Sequence, residues 1–204
     1  MKLLAISQRI DFIKKRNEFR DSIDQRLLEF VQDSGYLVFP VPNTFFLKKN
    51  SRIESEKILN HWLSSISPDG IILSGGNDLG SYIQRDFTEY ELLKYAEKNL
   101  LPVLGICRGM QIMGNFAGVN LTKVKGHIRT RHKIIGKLDR EVNSYHKESL
   151  EKCPFNYEVI YKSEDNVIEA IKHNVLPWEG WMWHPEREFP IQDFDSIRFR
   201  SLFK

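Results

Sequence analysis

Short, unbroken apolar runs recur along the first half of this chain at intervals of about 30 residues: LLAIS at 3–7, YLVFPVP at 36–42, GIILSGG at 70–76 and LPVLGIC at 101–107. Such a run has no polar face, so as a strand it must be covered on both sides, the condition of a parallel sheet between two layers of helices. The segments between the runs supply those helices. Ser22 to Gln25 has capping-box spacing ahead of Ile23, Leu27, Leu28, Phe30 and Val31, and this pattern stops at Gly35. A second helical pattern passes through Ile58, Leu59, Trp62 and Leu63. Asp86 to Glu89 repeats the cap spacing before a third, running through Leu92, Leu93 and Ala96 to about Asn99. Right-handed crossovers follow from the alternation. Past residue 120 the pattern changes: NLTKV, EVNSYH, NYEVIYKS, NVIEAI and GWMWHPE read as strands with no long helix between them, and a last helix falls near 195–203. The expected fold is α/β, one domain over residues 1–204. It is a three-layer sandwich with a mainly parallel central sheet, helices on both faces and a β-rich hairpin region in the second half.

With 204 residues, 41% of them hydrophobic, the chain suffices for one substantial core. Its two cysteines, Cys107 and Cys153, have no C-x-x-C spacing, so neither a disulfide framework nor a cysteine zinc site is expected. The opening MKLLAISQRI lacks a signal-peptide core and no apolar stretch approaches 18 residues, which points to a cytoplasmic chain without a membrane partner. Net charge is +3, from 30 basic and 27 acidic residues, but the stretch 123–140 holds seven Lys or Arg against one Asp. It lacks the interleaved aromatics of a nucleic-acid surface, so nucleic acid is not expected as a partner. It reads either as a solvated basic hairpin or as an anion-attracting wall of a cleft. His127 and His132, five apart within it, do not by their spacing suggest a metal site.

Cys107 lies where the fourth apolar run turns directly into the helix RGMQIMGNFAG. Ligands of open α/β sheets bind beyond the carboxyl ends of the strands, so this is no ordinary core position. Gly105 and Gly109 flank the cysteine two residues either side, as in the strand-turn-helix elbows that project a nucleophile. A helix N-terminus favours a thiolate, and the Arg108 N–H points at the same spot. A base is then required. His184 in WMWHPERE has Glu186 two residues on, and in an extended segment both side chains share a face, so Glu186 can hold one ring nitrogen while the other meets the sulfur. The Gly75-Gly76 pair in LSGGND lets a second backbone N–H, that of Gly76, approach a reacting carbonyl oxygen.

Strand-SGGxD, G-I-C-R-G-x-Q, V-N-S-Y-H and H-P-E, in this order, resemble the class I glutamine amidotransferase fold, and within it the γ-glutamyl hydrolase branch. The resemblance spans about residues 68–188. It implies a Cys107-His184-Glu186 triad that forms a γ-glutamyl thioester and hydrolyses it, with Gly76 and Arg108 as oxyanion donors. It further implies that Gly75, Gln111, Asn143, Ser144, Tyr145 and His146 bind the glutamyl portion. Arg85, Asp86 and Glu89 match an R-D-x-x-E element, read either as ligand contacts or as helix capping. Where the family often continues N-S-x-H-H-Q, this chain has NSYHKES. The reaction needs no cofactor and no metal.

The substrate is thus expected to be a small γ-glutamyl conjugate. If the basic stretch borders the pocket, a phosphorylated one is favoured, such as the γ-glutamyl-CDP-amidate of capsule phosphoramidate synthesis. Two further readings stay open: a glutaminase that passes ammonia to a synthase partner, and a catalytically silent binding or regulatory module. Oligomeric state is not legible.

Overall fold

The structure, a computed structural model, describes residues 1–46 and 51–204. In chain order the elements are β1 (Leu3–Ser7), β2 (Arg9–Ile13), β3 (Glu18–Ser22), α1 (Gln25–Asp33), β4 (Leu37–Val41), α2 (Arg52–Ile66), β5 (Gly70–Leu73), α3 (Ile83–Asn99), β6 (Val103–Ile106) and α4 (Arg108–Phe116). They continue as β7 (Leu121–Lys123), β8 (Ile128–Gly136), β9 (Arg140–Tyr145), β10 (Glu148–Leu150), β11 (Tyr157–Ser163), β12 (Ile168–His173), β13 (Trp178–Trp181) and α5 (Asp193–Leu202).

Nine strands form one mixed sheet in the order β4-β1-β5-β6-β13-β12-β11-β8-β9. The first five are parallel; the antiparallel β12, β11, β8 and β9 account for the change of pattern after residue 120, whereas β13, expected among the hairpin strands, returns to pair parallel with β6. Successive side chains of the parallel strands go to opposite faces. Ala5, Ile71, Leu73 and Val103 pack under α2, α3 and α4, while Leu4, Ile6, Ile72, Leu104 and Ile106 pack under α1 and α5. Pro40 lies in β4, which is the sheet edge, where a residue without an N–H interrupts no ladder. No helix among the described residues is long and apolar enough to cross a membrane.

Several local expectations are corrected. The N-cap of α1 is Asp24, whose carboxylate accepts from the Arg26 N–H, and Ser22 belongs to β3 with its hydroxyl on Asp11. Ser22 is taken up in the β2–β3 ladder opposite Arg9, so the helix is capped two residues later, by Asp24. The β2–β3 hairpin has no clear apolar alternation in the sequence. It is tied to the fold by Asn77, which exchanges hydrogen bonds with the Ile10 main chain, and by Asn43, which donates to Asp21 from its main-chain N–H and its side-chain amide. Asp86 lies in the first turn of α3 rather than at its cap, because that helix starts at Ile83. Of the two readings of the stretch 123–140, the solvated basic hairpin is the one that forms: half of it is the long strand β8, antiparallel to β9, and the Lys and Arg of β8 are exposed.

Gly105 and Gly109 serve packing rather than the turn itself. A Cβ on Gly109 would overlap the Leu73 carbonyl oxygen, and one on Gly105 falls 2.5 Å from the Gly109 backbone. The first turn of α4 therefore lies directly on the backbones of β5 and β6. Gly109→Ala forces these backbones apart, and urea unfolding should show a loss of about 1–3 kcal/mol.

Candidate active site

Three neighbouring parallel strands deliver the site. β5 ends at Leu73 and opens into the Ser74–Asn77 loop, β6 ends at Ile106 just before Cys107, and β13 ends at Trp181 just before the His184 segment. In the ladder Leu73 pairs with Gly105 and Ile106 with Trp181, so the three chain exits are side by side. The Cys107 N–H donates to the Trp181 carbonyl at 2.7 Å, tying the elbow to the strand that precedes His184.

Cys107 has φ +52° and ψ −104°, a conformation that non-glycine residues rarely adopt and that costs roughly 1–3 kcal/mol. The strain sits on the cysteine, held by β6 on one side and by the glycine contacts of α4 on the other. Its side chain is 8% exposed and faces a cavity of about 360 Å³.

His184 Nδ1 lies 2.6 Å from Glu186 Oε1. The expected contact forms, but by another local geometry: Pro185–Arg187 is a 3-10 turn, which folds Glu186 back beneath the ring, and only His184 is extended. A proline after the histidine starts such a turn readily. Burial pulls the His184 pKa down, but the charges of Glu186 and Cys107, with hydrogen bonds to both, raise it from 6.5 to about 9. The imidazole thus sits between carboxylate and sulfur. Asn143 fixes its main chain on both sides, accepting from the His184 N–H at 2.9 Å and donating to the His184 carbonyl at 2.8 Å. Upstream, Trp183 Nε1 donates to Asp195 of α5, which also receives Arg140.

The loop after β5 is braced from beneath by Arg85, a fully buried guanidinium of α3. Arg85 donates to the carbonyls of Ser74, Gly75 and Gly76, and to Asn77 Oδ1. In a trans peptide the N–H and C=O point in opposite directions. With the Gly75 carbonyl turned to Arg85, the Gly76 N–H of that same peptide points away from it. Gly75 leaves no room for a side chain, since a Cβ there meets His184 Cε1 at 2.7 Å. Glu89, also fully buried, takes Arg85, the Ser7 hydroxyl and Arg108, and Asp86 takes Arg108 and the Gly80 N–H. The R-D-x-x-E residues therefore form a buried ion network under the site. Charges at i, i+1 and i+4 on a helix that otherwise needs an apolar face were the signal for it.

Of the residues singled out in the sequence, Gly76, Cys107, Arg108, Gln111, Tyr145, His146 and His184 line the cavity. Gly75 backs onto His184. Asn143 and Ser144 do not reach the cavity; Ser144 donates to the His127 carbonyl at 2.7 Å. Gln111 donates to the Glu148 carbonyl at 2.8 Å. Tyr145 stands edge-on to the His184 ring at 5.6 Å, with the Arg187 guanidinium 4.6 Å above its own face. From the basic stretch only Ile128 lines the cavity, while Arg131, Lys133 and Arg140 are paired with Glu188, Asp139 and Asp195. The cations at the cavity come from elsewhere: Arg108, whose guanidinium is engaged by Asp86 and Glu89, Lys147, paired with Asp78 at 2.7 Å, and Arg187. Spacing also did not reveal that His127, His132, His146 and Glu169 converge behind the wall formed by His146.

Residues 18–197 match the family model for class I glutamine amidotransferases. The chain is 34% identical over 141 residues to a γ-glutamyl-CDP-amidate hydrolase of Campylobacter jejuni, covering 66% of this chain and 70% of that one. It is 33% identical over 146 residues to a glutamine-hydrolyzing GMP synthase subunit of Pyrococcus abyssi, covering 67% and 76%. A crystal structure described as a GMP synthase subunit, from Thermoplasma acidophilum, superposes with a TM-score of 0.71 at 20% identity, over 100% of this chain and 93% of that one. The chain belongs to the class I glutamine amidotransferase family.

The raised His184 pKa has a consequence for stability. A group bound more tightly to its proton in the folded chain stabilises fully below its unfolded pKa of 6.5, and that contribution is lost as pH rises through about 9. Relative to His184→Asn, the unfolding free energy of the unaltered chain should fall across this window when urea unfolding is followed against pH.

Proposed function

We propose that this chain is a cysteine-dependent γ-glutamyl hydrolase acting through Cys107, His184 and Glu186. The observation that carries the reading is one imidazole held between the Glu186 carboxylate and a strained cysteine that opens on a cavity. The Cys107 thiolate attacks the δ-carbonyl carbon of a γ-glutamyl amide, and the carbonyl electron pair moves onto oxygen. Two N–H groups take up that charge. One is the N–H of Gly76, on the side of its peptide away from Arg85. The other is the N–H of Arg108, a first-turn amide of α4 with no carbonyl four residues back.

The tetrahedral intermediate collapses as the C–N bond breaks and the His184 imidazolium gives its proton to the leaving nitrogen. A γ-glutamyl thioester remains on Cys107. Water then attacks it, His184 accepts the water proton, and glutamate leaves as the C–S bond breaks and the Cys107 thiolate is restored beside the imidazolium. Glu186 keeps the ring oriented and stabilises its charged form throughout. Free cysteines in these roles suit a reducing, cytoplasmic setting.

For the leaving portion, we favour a phosphorylated group. Its recognition rests on Lys147 and Arg187 at the cavity rather than on the basic stretch 123–140, and the Campylobacter relative, by its name, acts on γ-glutamyl-CDP-amidate. Likeness to the glutamine-hydrolyzing subunits of GMP synthases supports a second reading, glutaminase action serving a synthase partner.

Cys107→Ala should abolish turnover while circular dichroism stays unchanged, and intact mass spectrometry should find a diazo-norleucine adduct on Cys107 of the unaltered chain. A folded chain that stays unlabelled favours the silent module. Turnover of γ-glutamyl-CDP-amidate should exceed that of glutamine and of γ-glutamyl-γ-aminobutyrate. Lys147→Ala or Arg187→Ala should raise KM for the phosphorylated substrate roughly tenfold while affecting glutamine little. Preference for free glutamine, rising on addition of a synthase, supports the glutaminase reading instead.

A further inference from the structure

Behind the His146 wall, the ends of β8, β9 and β12 bring three imidazoles against one carboxylate. Glu169 is fully buried on β12, and its Oε1 lies 3.2 Å from His127 Nδ1, 3.4 Å from His132 Nε2 and 3.3 Å from His146 Nε2. The outer nitrogens of two rings are already committed. His127 Nε2 faces Asp165 Oδ2 at 3.1 Å, and His146 Nδ1 faces the Glu148 carbonyl at 3.2 Å. Both of these oxygens only accept, so each outer nitrogen carries the proton.

In the neutral rings the inner nitrogens are then bare lone pairs. They are turned toward one another at 3.2 Å and toward the carboxylate. Neither Glu169 oxygen and neither nitrogen of His132 has a partner with hydrogen-bond geometry. His132 has neither nitrogen paired, so either a proton on its Nε2 or a bound cation must offset the lone pairs that meet at Glu169 Oε1.

From this arrangement we infer a divalent transition-metal site, of the zinc class, with His127 Nδ1, His132 Nε2, His146 Nε2 and Glu169 as ligands. Ligands at 2.0–2.1 Å from a tetrahedral zinc ion are about 3.3 Å apart, close to the separations around Glu169 Oε1. The ligating atoms of His127, His132 and Glu169 all lie within 4.8 Å of one another. Imidazole with carboxylate suits zinc, cobalt or nickel rather than calcium or magnesium, which prefer all-oxygen shells. The bonds from His127 to Asp165 and from His146 to Glu148 fix ring tautomer and orientation, as the outer partners of metal-bound histidines do. The ion would join the entry to β8, β8 itself, the end of β9 and β12. It would thereby pin the 145–148 segment that lines the cavity, with no part in the thioester chemistry.

The test uses the full chain without a polyhistidine tag, in a Cys107→Ala, Cys153→Ala background that removes the thiols as competing ligands. Elemental analysis after dialysis, followed by zinc titration, should find one zinc per chain and a higher Tm. Cobalt(II) should give the intense visible bands of a tetrahedral ion. His132 is the least buried ligand, so His132→Ala should stay folded and bind zinc at least tenfold more weakly, as should Glu169→Gln. Absence of stoichiometric zinc binding by the folded chain overturns the inference. So does unchanged affinity in folded His132→Ala, which would place the metal elsewhere.

Discussion

The main-chain ladder that holds β6 between β5 and β13 is the constraint on which everything else in this molecule rests. Parallel pairing sets the carboxyl ends of the three strands level, so the Ser74–Asn77 loop, the sharp turn at Cys107 and the His184 segment leave the sheet side by side. A shift of one residue in any of them would turn its buried run inside out. The 2.7 Å bond from the Cys107 N–H to the Trp181 carbonyl extends this ladder past the strand ends. The positive φ at Cys107 is tolerated because β6 and α4 fix both of its flanks.

Beneath the site, electrostatics does what the backbone alone does not. Two arginines and two carboxylates, Arg85, Arg108, Asp86 and Glu89, are withdrawn from water between α3 and α4. Removing charges from water is costly, and such a network persists where each member satisfies others and also organises something. Here Arg85 gathers three successive loop carbonyls and thereby sets which way the loop amides face. The same principle operates at His184, whose charged form is favoured in a buried place because Glu186 and Cys107 flank it.

The legible parts of the sequence are those where a single physical rule acts locally. GIIL and VLGI could only be strands covered on both faces, and both are. Cys107 at a strand-helix junction between glycines was legible as an elbow, although the glycines turned out to relieve crowding between α4 and the β5 and β6 backbones. His184 and Glu186 were legible as a pair, although a 3-10 turn joins them. The β2–β3 hairpin was not legible, since it is tied to the fold by Asn43 and Asn77, both distant along the chain. Nor was the role of Asn143, whose polar atoms are spent on His184 main chain 41 residues away rather than on the cavity.

Sequence alone determined the buried strands β1, β4, β5 and β6, the helices that alternate with them, and the residue types able to carry nucleophile, base and orienter, because these follow from periodicity and short spacing. Only the tertiary structure decided that Arg85 faces a loop, that Lys147 and Arg187 rather than the basic stretch reach the cavity, and that His127, His132 and His146 meet Glu169. Those outcomes depend on register and crossover between distant segments, where the free energy of burying a charge is fixed by whichever partner the fold brings to it.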